Sequence, residues 1–199
     1  PALSKAKAQA QSAKCKGNLR QLGIALGMYV TDNHIYPPQI NATNAAATPL
    51  FWWDYLMQYH RIQATNRDFA CPTYQGVFSA SAGSFSYMYN DDGTGSGLLG
   101  LGWGGPSGIQ IREAQVVVPS EMFAVTDSRV LVFGGPPISE SAFVEGAPFT
   151  SLAKPFSRPA PNEAQILRHG KGFNFLYCDG HVSLVNRNYF TNATNSWQN

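Results

Sequence analysis

The first thirty residues are the feature that most constrains how this chain folds. Residues 1–30 are dominated by Ala, Lys, Gln and Leu, which are good helix formers. A seven-residue rhythm keeps one stripe on one helix face: Ala8, Ser12, Cys15, Leu19, Leu22, Leu26 and Tyr29. Its first members bury little surface and its last members bury much. The sequence therefore predicts a helix of roughly 45 Å that packs at its C-terminal end and projects at its N-terminal end.

Three glycines interrupt this predicted helix, and each costs about 1 kcal/mol relative to alanine. They are Gly17, Gly23 and Gly27, and the last two lie four residues apart on one face. Two explanations are open: close approach of a strand or second helix, or a weak helix that tertiary packing stabilises. The helix should end near residues 31–33, because the Tyr-Pro-Pro sequence at 36–38 favours extended backbone.

Composition indicates one folded, loop-rich domain. The chain has 199 residues, of which 44% are hydrophobic and only 13% are charged, about half the usual charged share. Abundant Gly and Pro predict many turns, and the profile favours an extracytoplasmic protein. Three cysteines permit one disulfide and a free thiol in an oxidising compartment, and their spacing fits no zinc pattern.

Positive charge is concentrated in the predicted helix. Residues 1–31 carry five basic residues and no acid, so the rest of a chain of net charge +2 is net −3. A basic helix can meet nucleic acid, anionic lipid or an acidic partner, or can be a solvated face. No aromatic residue interleaves these charges, so we expect no nucleic-acid partner. No apolar run approaches the roughly 18 residues of a membrane span.

Aromatic residues mark the next elements. The segment 50–60 predicts a short helix, with Thr48 as its N-cap, that carries Trp52, Trp53 and Tyr55. Together with Trp103, these rings could line a sugar-binding surface, or they could seal a helix onto a sheet, which we favour. Residues 69–74 predict a short extended segment.

Alternating patterns predict the strands. Phe85, Tyr87 and Tyr89 alternate, and a turn at 90–93 should end that strand. Short strands are expected at 111–118 and 122–126. Near the C-terminus, Asp179-Gly180 separates two alternating runs, which predicts a two-residue hairpin joining strands near 173–178 and 181–185.

A long glycine-rich segment follows the predicted turn at 90–93. Residues 93–108 are apolar and unsuited to a regular helix or strand, so they predict a functional or mobile loop. Asp91 and Asp92 just before it could chelate calcium with loop carbonyls, although their spacing matches no EF-hand and a plain turn is favoured. Calcium is therefore the only cofactor that the sequence suggests.

These pieces together resemble the pseudopilin-like proteins of Planctomycetes, Verrucomicrobia and Lentisphaerae, which carry a prepilin-type N-terminal cleavage segment. The C-terminal hallmark of that family is a His, nine residues and then Asp-Gly, present here as His169 and Asp179-Gly180. The other matching segments are LSKAK at 3–7, Cys15, NLRQLG at 18–23, MY at 28–29, YPP at 36–38, FACP at 69–72, SYMYN at 86–90, PSE at 119–121 and DS at 127–128. The family's hydrophobic half-helix is absent, and Cys178 replaces a usual small residue.

The resemblance implies a fold and a role. It implies an α+β, type IV pilin-like domain over 1–199, with a long helix at 1–32 laid on an antiparallel sheet within a loop-rich β region at 33–199. The role would be that of a periplasmic filament subunit, with other pseudopilins and the secretion machinery as partners. A half-helix preceding Pro1 would anchor it in the inner membrane. It also implies a disulfide between Cys15 and Cys71, with Cys178 free.

An enzyme or metal site at the C-terminal hallmark is the remaining alternative. Such a site would use His169, Asp179 and His181. However, Asp179 and Gly180 are explained as turn residues, and His169 is explained as a capping or backbone-bonding residue. No nucleophile–base pair or metal spacing lies beside them. A strand should separate His169 from Asp179 by about 20 Å. We therefore expect an architectural hallmark and no enzyme.

Overall fold

The predicted N-terminal helix is present as α1, which runs from Ala2 to Asn33. The computed structural model describes residues 2–41, 50–60, 70–73, 86–93, 100–102, 110–127, 149–151, 169 and 172–186. The helix ends where the His34 backbone turns left-handed, with φ of 58°, and His34 N–H donates to Val30 O at 2.7 Å. No helix in these ranges combines the length and hydropathy needed to cross a bilayer.

Only the later part of α1 is docked. Residues 2–10 are fully on the surface, whereas the stripe is buried from Cys15 onward. The large members of the stripe are in the core as predicted: Leu19, Leu22, Leu26 and Tyr29. The prediction of a helix that packs at one end and projects at the other is confirmed.

The sheet against which α1 packs has five strands in the order β5-β3-β4-β6-β7. Their bounds are Tyr87–Gly93 for β3, Phe123–Asp127 for β4, Phe149–Ser151 for β5, Gly172–Tyr177 for β6 and Val182–Asn186 for β7. The pairs among β3, β4, β6 and β7 are antiparallel, as expected. The edge strand β5 pairs in parallel with β3, which the sequence did not indicate. The α+β class, with a long helix on an antiparallel four-stranded sheet, is confirmed.

A second, small unit covers one end of the core. Strands β1 (Ile40–Asn41) and β2 (Leu50–Phe51) form a two-stranded pair, and α2 (Trp52–Leu56) follows directly. The helix is shorter than the predicted 50–60 and begins after Phe51, whose N–H donates to Asp54 Oδ2 at 2.7 Å. This local cap, and the turns that follow Leu56, explain the shorter helix.

The aromatic residues of α2 face inward. Trp52 is fully buried and stacks on Tyr89 of β3, with ring centroids 5.3 Å apart, and Trp53 is 3% exposed. Tyr29 of α1 meets Tyr55 edge to face. The interpretation of these rings as a packing cluster is confirmed, whereas Trp103 lies outside the described residues.

Three other predictions are wrong. No strand spans 111–118; Glu113–Gln115 form a 3₁₀ turn instead, because Gln115 Oε1 accepts the Arg112 N–H at 2.8 Å and closes a local cap. No turn ends β3 at 90–93, since β3 continues to Gly93 through an irregular register against β5. The described part of the 69–74 segment, residues 70–73, is a bend and turn and not a strand.

The C-terminal hairpin is present, but its connection has three residues. Leu176 pairs with Val182, and Tyr177 N–H donates to His181 O at 3.0 Å, so residues 178–180 form the loop. Gly180 N–H donates to Tyr177 O at 2.9 Å, and Gly180 has φ of 87°. This is a type I turn followed by a left-handed residue, which needs positive φ at Gly180 alone. The two-residue turn predicted at Asp179-Gly180 is therefore wrong in length.

Gly23 is where α1 approaches this hairpin most closely. A Cβ atom at Gly23 would lie 2.7 Å from Leu176 Cδ1 and 3.5 Å from Gly180 Cα. A Cβ at Gly27 would meet nothing within 4 Å. Of the two explanations for the helix glycines, close approach of a strand therefore holds at Gly23 and not at Gly27.

This contrast makes a paired test. Gly23→Ala should destabilise the protein by about 1–3 kcal/mol, because Leu176 is fully buried and cannot move aside freely. Gly27→Ala should stabilise it by up to about 1 kcal/mol through helix propensity. Urea unfolding of both variants measures the difference. Equal effects of the same sign would contradict the close approach.

Candidate functional site: a buried cluster of thiol, carboxylate and imidazole groups

Four side chains from distant parts of the chain meet beneath α1. They are Cys15, Cys71, Asp127 and His169, and their sulfur, oxygen and nitrogen atoms all lie within 4.8 Å of one another. Cys15 is 0% exposed, Cys71 and Asp127 are each 2% exposed, and the His169 side chain is 1% exposed. We call these four residues the buried cluster.

Two members lie in regular elements and two lie outside them. Cys15 lies on the docked face of α1, at the point where the helix first becomes buried. Asp127 is the last residue of β4, opposite Tyr87 of β3. His169 precedes the start of β6 at Gly172. The buried cluster therefore lies where Cys15 of α1 meets the last residue of β4.

Cys71 is held in place by two contacts from other elements. Its N–H donates to Ser86 Oγ at 3.0 Å. The neighbouring Ala70 carbonyl accepts a hydrogen bond from Asn18 Nδ2 of α1 at 3.1 Å. Residues 70–73 are thus fixed to both the helix and the sheet, although they form no regular element.

Asp127 is the centre of the hydrogen bonding. Its Oδ1 accepts from Cys15 Sγ at 3.0 Å, and its Oδ2 accepts from the Asn174 N–H of β6 at 2.7 Å. His169 Nε2 lies 3.1 Å from the same Oδ2. One carboxylate thus joins the helix, strand β6 and His169.

The sulfur atoms have further polar neighbours. Cys71 Sγ lies 3.6 Å from His169 Nε2 and 3.1 Å from Thr73 Oγ1. Cys15 Sγ lies 3.6 Å from the Tyr87 hydroxyl. Among the described residues, His169 Nδ1 is buried without a hydrogen-bond partner, so His169 acts through Nε2.

Burial and charge shift the ionisation of these groups. Burial raises the pKa of the Cys15 thiol far above its usual range, and Cys71 and Asp127 raise it further. Burial lowers the pKa of His169, but its hydrogen bonds to Asp127 and Cys71, with the charge of Asp127, outweigh this and raise the pKa to about 9. With no ion bound, these shifts keep the Cys15 thiol and the His169 imidazole protonated at neutral pH.

The sequence pointed to part of this site. The family resemblance implies a Cys15–Cys71 pair, and the structure brings the two sulfurs together, but as free thiols, so the disulfide is not formed in this structure. Cys178 is also a free thiol, half-buried, and burial raises its pKa to about 12. In the sequence, Asp127 stands out only as part of the Asp-Ser segment at 127–128 that matches the family, and no local signal indicates its central role.

The residues of the C-terminal hallmark lie at two separate places in the structure. Among the described residues, the contact that His169 makes is with the Asp127 carboxylate and the Cys71 thiol, and not the strand cap or backbone bond that was expected. Asp179 stays in the hairpin turn, where its Oδ1 accepts the His181 N–H at 3.0 Å and lies 2.6 Å from His181 Nδ1. The buried cluster does not include Asp179.

The calcium hypothesis is not resolved by these contacts. Asp91 and Asp92 lie within β3 rather than in a loop. Their side chains fall outside what the structure describes, as do residues 94–99 and 103–108 of the predicted glycine-rich loop.

Comparisons of the chain with family models, with curated proteins and with solved structures found no match in any of the three.

Two His–Asp pairs of opposite exposure allow a matched test of the buried cluster. Asp127→Asn should cost about 3–5 kcal/mol of unfolding free energy in chelator and reductant, because it leaves a buried imidazolium without its counter-charge. Asp179→Asn should cost less than about 1 kcal/mol, because the Asp179–His181 pair is solvated. Equal losses in urea unfolding would show that Asp127 does not hold the core together.

Proposed function

We propose that this chain is a structural subunit of a filament of the type II secretion or type IV pilus kind, which assembles through its N-terminal helix. The observation that carries the proposal is the projecting start of α1, since residues 2–10 are exposed although the rest of the helix is docked. A helix that extends past its own core can reach a neighbouring subunit. The long helix on an antiparallel sheet and the sequence resemblance both support this reading.

Charge distribution supports contacts between copies. The first 31 residues carry five positive charges and no negative one, and the remainder of the chain is net −3. Exposed lysines of the projecting segment, such as Lys5 and Lys7, would therefore meet an oppositely charged body in the next subunit. Such contacts would weaken as ionic strength rises.

A groove beside α1 offers a surface to receive a neighbour. It is an open depression of about 770 Å³ between the outer face of α1 and the hairpin turn. Its lining includes Ile24, Met28, Asp179 and Gly180. Ile24 is 62% exposed and Met28 is 48% exposed, so apolar surface is available there for helix packing.

The alternative functions have less support. Trp52 and Trp53 are buried in the core and cannot stack on a sugar. The side chains of the buried cluster are also shielded from solvent, so a substrate does not reach their thiols or their imidazole. The assignment as a non-enzyme and the periplasmic, membrane-anchored location that the resemblance implies stay predictions.

Site-specific photo-crosslinking in the intact protein, in the cells that make it, tests the proposal. Leu3 on the projecting helix and Val117 beside the 3₁₀ turn are almost equally exposed, at 84% and 86%. A photoreactive residue at position 3 should give homotypic adducts, and one at position 117 should give few. Charge reversal by Lys5→Glu with Lys7→Glu should reduce the yield at position 3. Absence of adducts at position 3, or equal yields at both positions, would contradict assembly through the helix.

A further inference from the structure

We propose that the buried cluster binds one zinc-class divalent ion through Cys15 Sγ, Cys71 Sγ, His169 Nε2 and one oxygen of Asp127. The proposal is independent of filament assembly, because it rests on the interior of the domain. Two sulfurs, one nitrogen and one oxygen from four side chains converge on one point. Four converging donors are what a tetrahedral zinc site requires.

The separations fit an ion at the centre. Tetrahedral zinc with bonds of about 2.3 Å to sulfur and 2.0–2.2 Å to nitrogen or oxygen places its ligand atoms roughly 3.2–3.8 Å apart. The observed separations are 3.0 Å from Cys15 Sγ to Asp127 Oδ1, 3.6 Å from Cys71 Sγ to His169 Nε2 and 3.1 Å from His169 Nε2 to Asp127 Oδ2. No pair in the set exceeds 4.8 Å. Shifts of about 1 Å or less would therefore admit the ion.

The donor set selects the kind of metal. Thiolate and imidazole ligands suit zinc and its spectroscopic substitute cobalt, whereas calcium and magnesium require oxygen ligands. All four ligands come from the protein and are buried, so no open position is left for a substrate. A closed site of this kind is structural rather than catalytic.

Further polar groups surround the ligands on the outside. The Tyr87 hydroxyl lies next to Cys15 Sγ, the Thr73 hydroxyl next to Cys71 Sγ, and the Asn174 N–H donates to Asp127 Oδ2. Each anionic ligand thus has a neighbour that can donate a hydrogen bond. Such outer contacts orient metal ligands and stabilise their charged forms.

Binding would replace protons by the ion. The two thiol protons and the proton on His169 Nε2 leave, and both thiolates, the carboxylate and the neutral imidazole then bind the metal. The ion would join α1, residues 70–73, the end of β4 and the residue that leads into β6. Folding and metal binding would therefore be coupled.

The first experiment measures metal and thiols in the protein as isolated. The intact protein is purified without chelator after free thiols are trapped by alkylation in a parallel sample at lysis. Elemental analysis should give close to one zinc per chain, and the trapped sample should contain no Cys15–Cys71 disulfide. A Cys15–Cys71 disulfide, or reduced protein that neither contains zinc nor takes it up on titration, would overturn the proposal.

Cobalt substitution identifies the ligands. One equivalent of Co²⁺ should give intense visible bands of tetrahedral geometry and a thiolate-to-cobalt charge-transfer band. Cys71→Ser should lose the charge-transfer intensity of one thiolate, and Cys178→Ser, as the matched control, should leave the spectrum unchanged. Equal spectral losses in both variants, or cobalt bound without a thiolate band, would overturn the assignment.

A milder variant keeps the test decisive if Cys71→Ser does not fold. Tyr87→Phe removes only the hydroxyl beside Cys15 and should weaken zinc affinity about 10–100-fold, as loss of an outer ligand contact does. Competition with a chelating dye measures the affinity, and circular dichroism checks the fold. A folded Tyr87→Phe protein with wild-type affinity would show that the ion is not held at Cys15.

Discussion

The buried carboxylate of Asp127 is the contact on which the position of the long helix depends. It lies at the end of β4 and accepts hydrogen bonds from Cys15 of α1 and from the Asn174 backbone of β6. A carboxylate with two percent exposure is costly unless it is paired and hydrogen-bonded. His169 supplies the paired charge at 3.1 Å. The helix, the sheet and the segment before β6 are therefore tied by one group.

Apolar packing extends this attachment along the helix. Gly23 lets the backbone of α1 come against Leu176 and the hairpin turn, and Tyr29 packs against Tyr55 of α2. Before Cys15 the helix is mostly at the surface, and residues 2–10 are exposed. The same helix thus has a buried part, which is packed into the domain, and an exposed part at its start. The interior contacts thus fix the later part of α1, and the exposed start of α1 is the part that we propose to enter the filament.

Local patterns were readable from the sequence, and contacts over long distances were not. Periodicity predicted α1 and its buried stripe, and alternation predicted β3 and the hairpin. The 3₁₀ turn at Glu113–Gln115 depends on a single side-chain cap, which the alternating pattern does not show. The parallel pairing of β5 with β3 joins segments far apart in the chain and has no local signature. The buried cluster joins residues that are spread along the chain from Cys15 to His169. Spacing patterns for metal sites describe ligands that lie within a few residues of each other, so they do not detect the buried cluster.

Hydrogen exchange with mass spectrometry, applied to the purified intact protein, tests most directly whether Asp127 holds the helix to the sheet. Amides of residues 15–30 should exchange much more slowly than those of residues 2–12. Asp127→Ala should release residues 15–22 first and leave the end of α1, packed on α2, protected. Uniform protection along the whole helix in the unmodified protein, or unchanged protection of 15–22 in Asp127→Ala, would contradict the account.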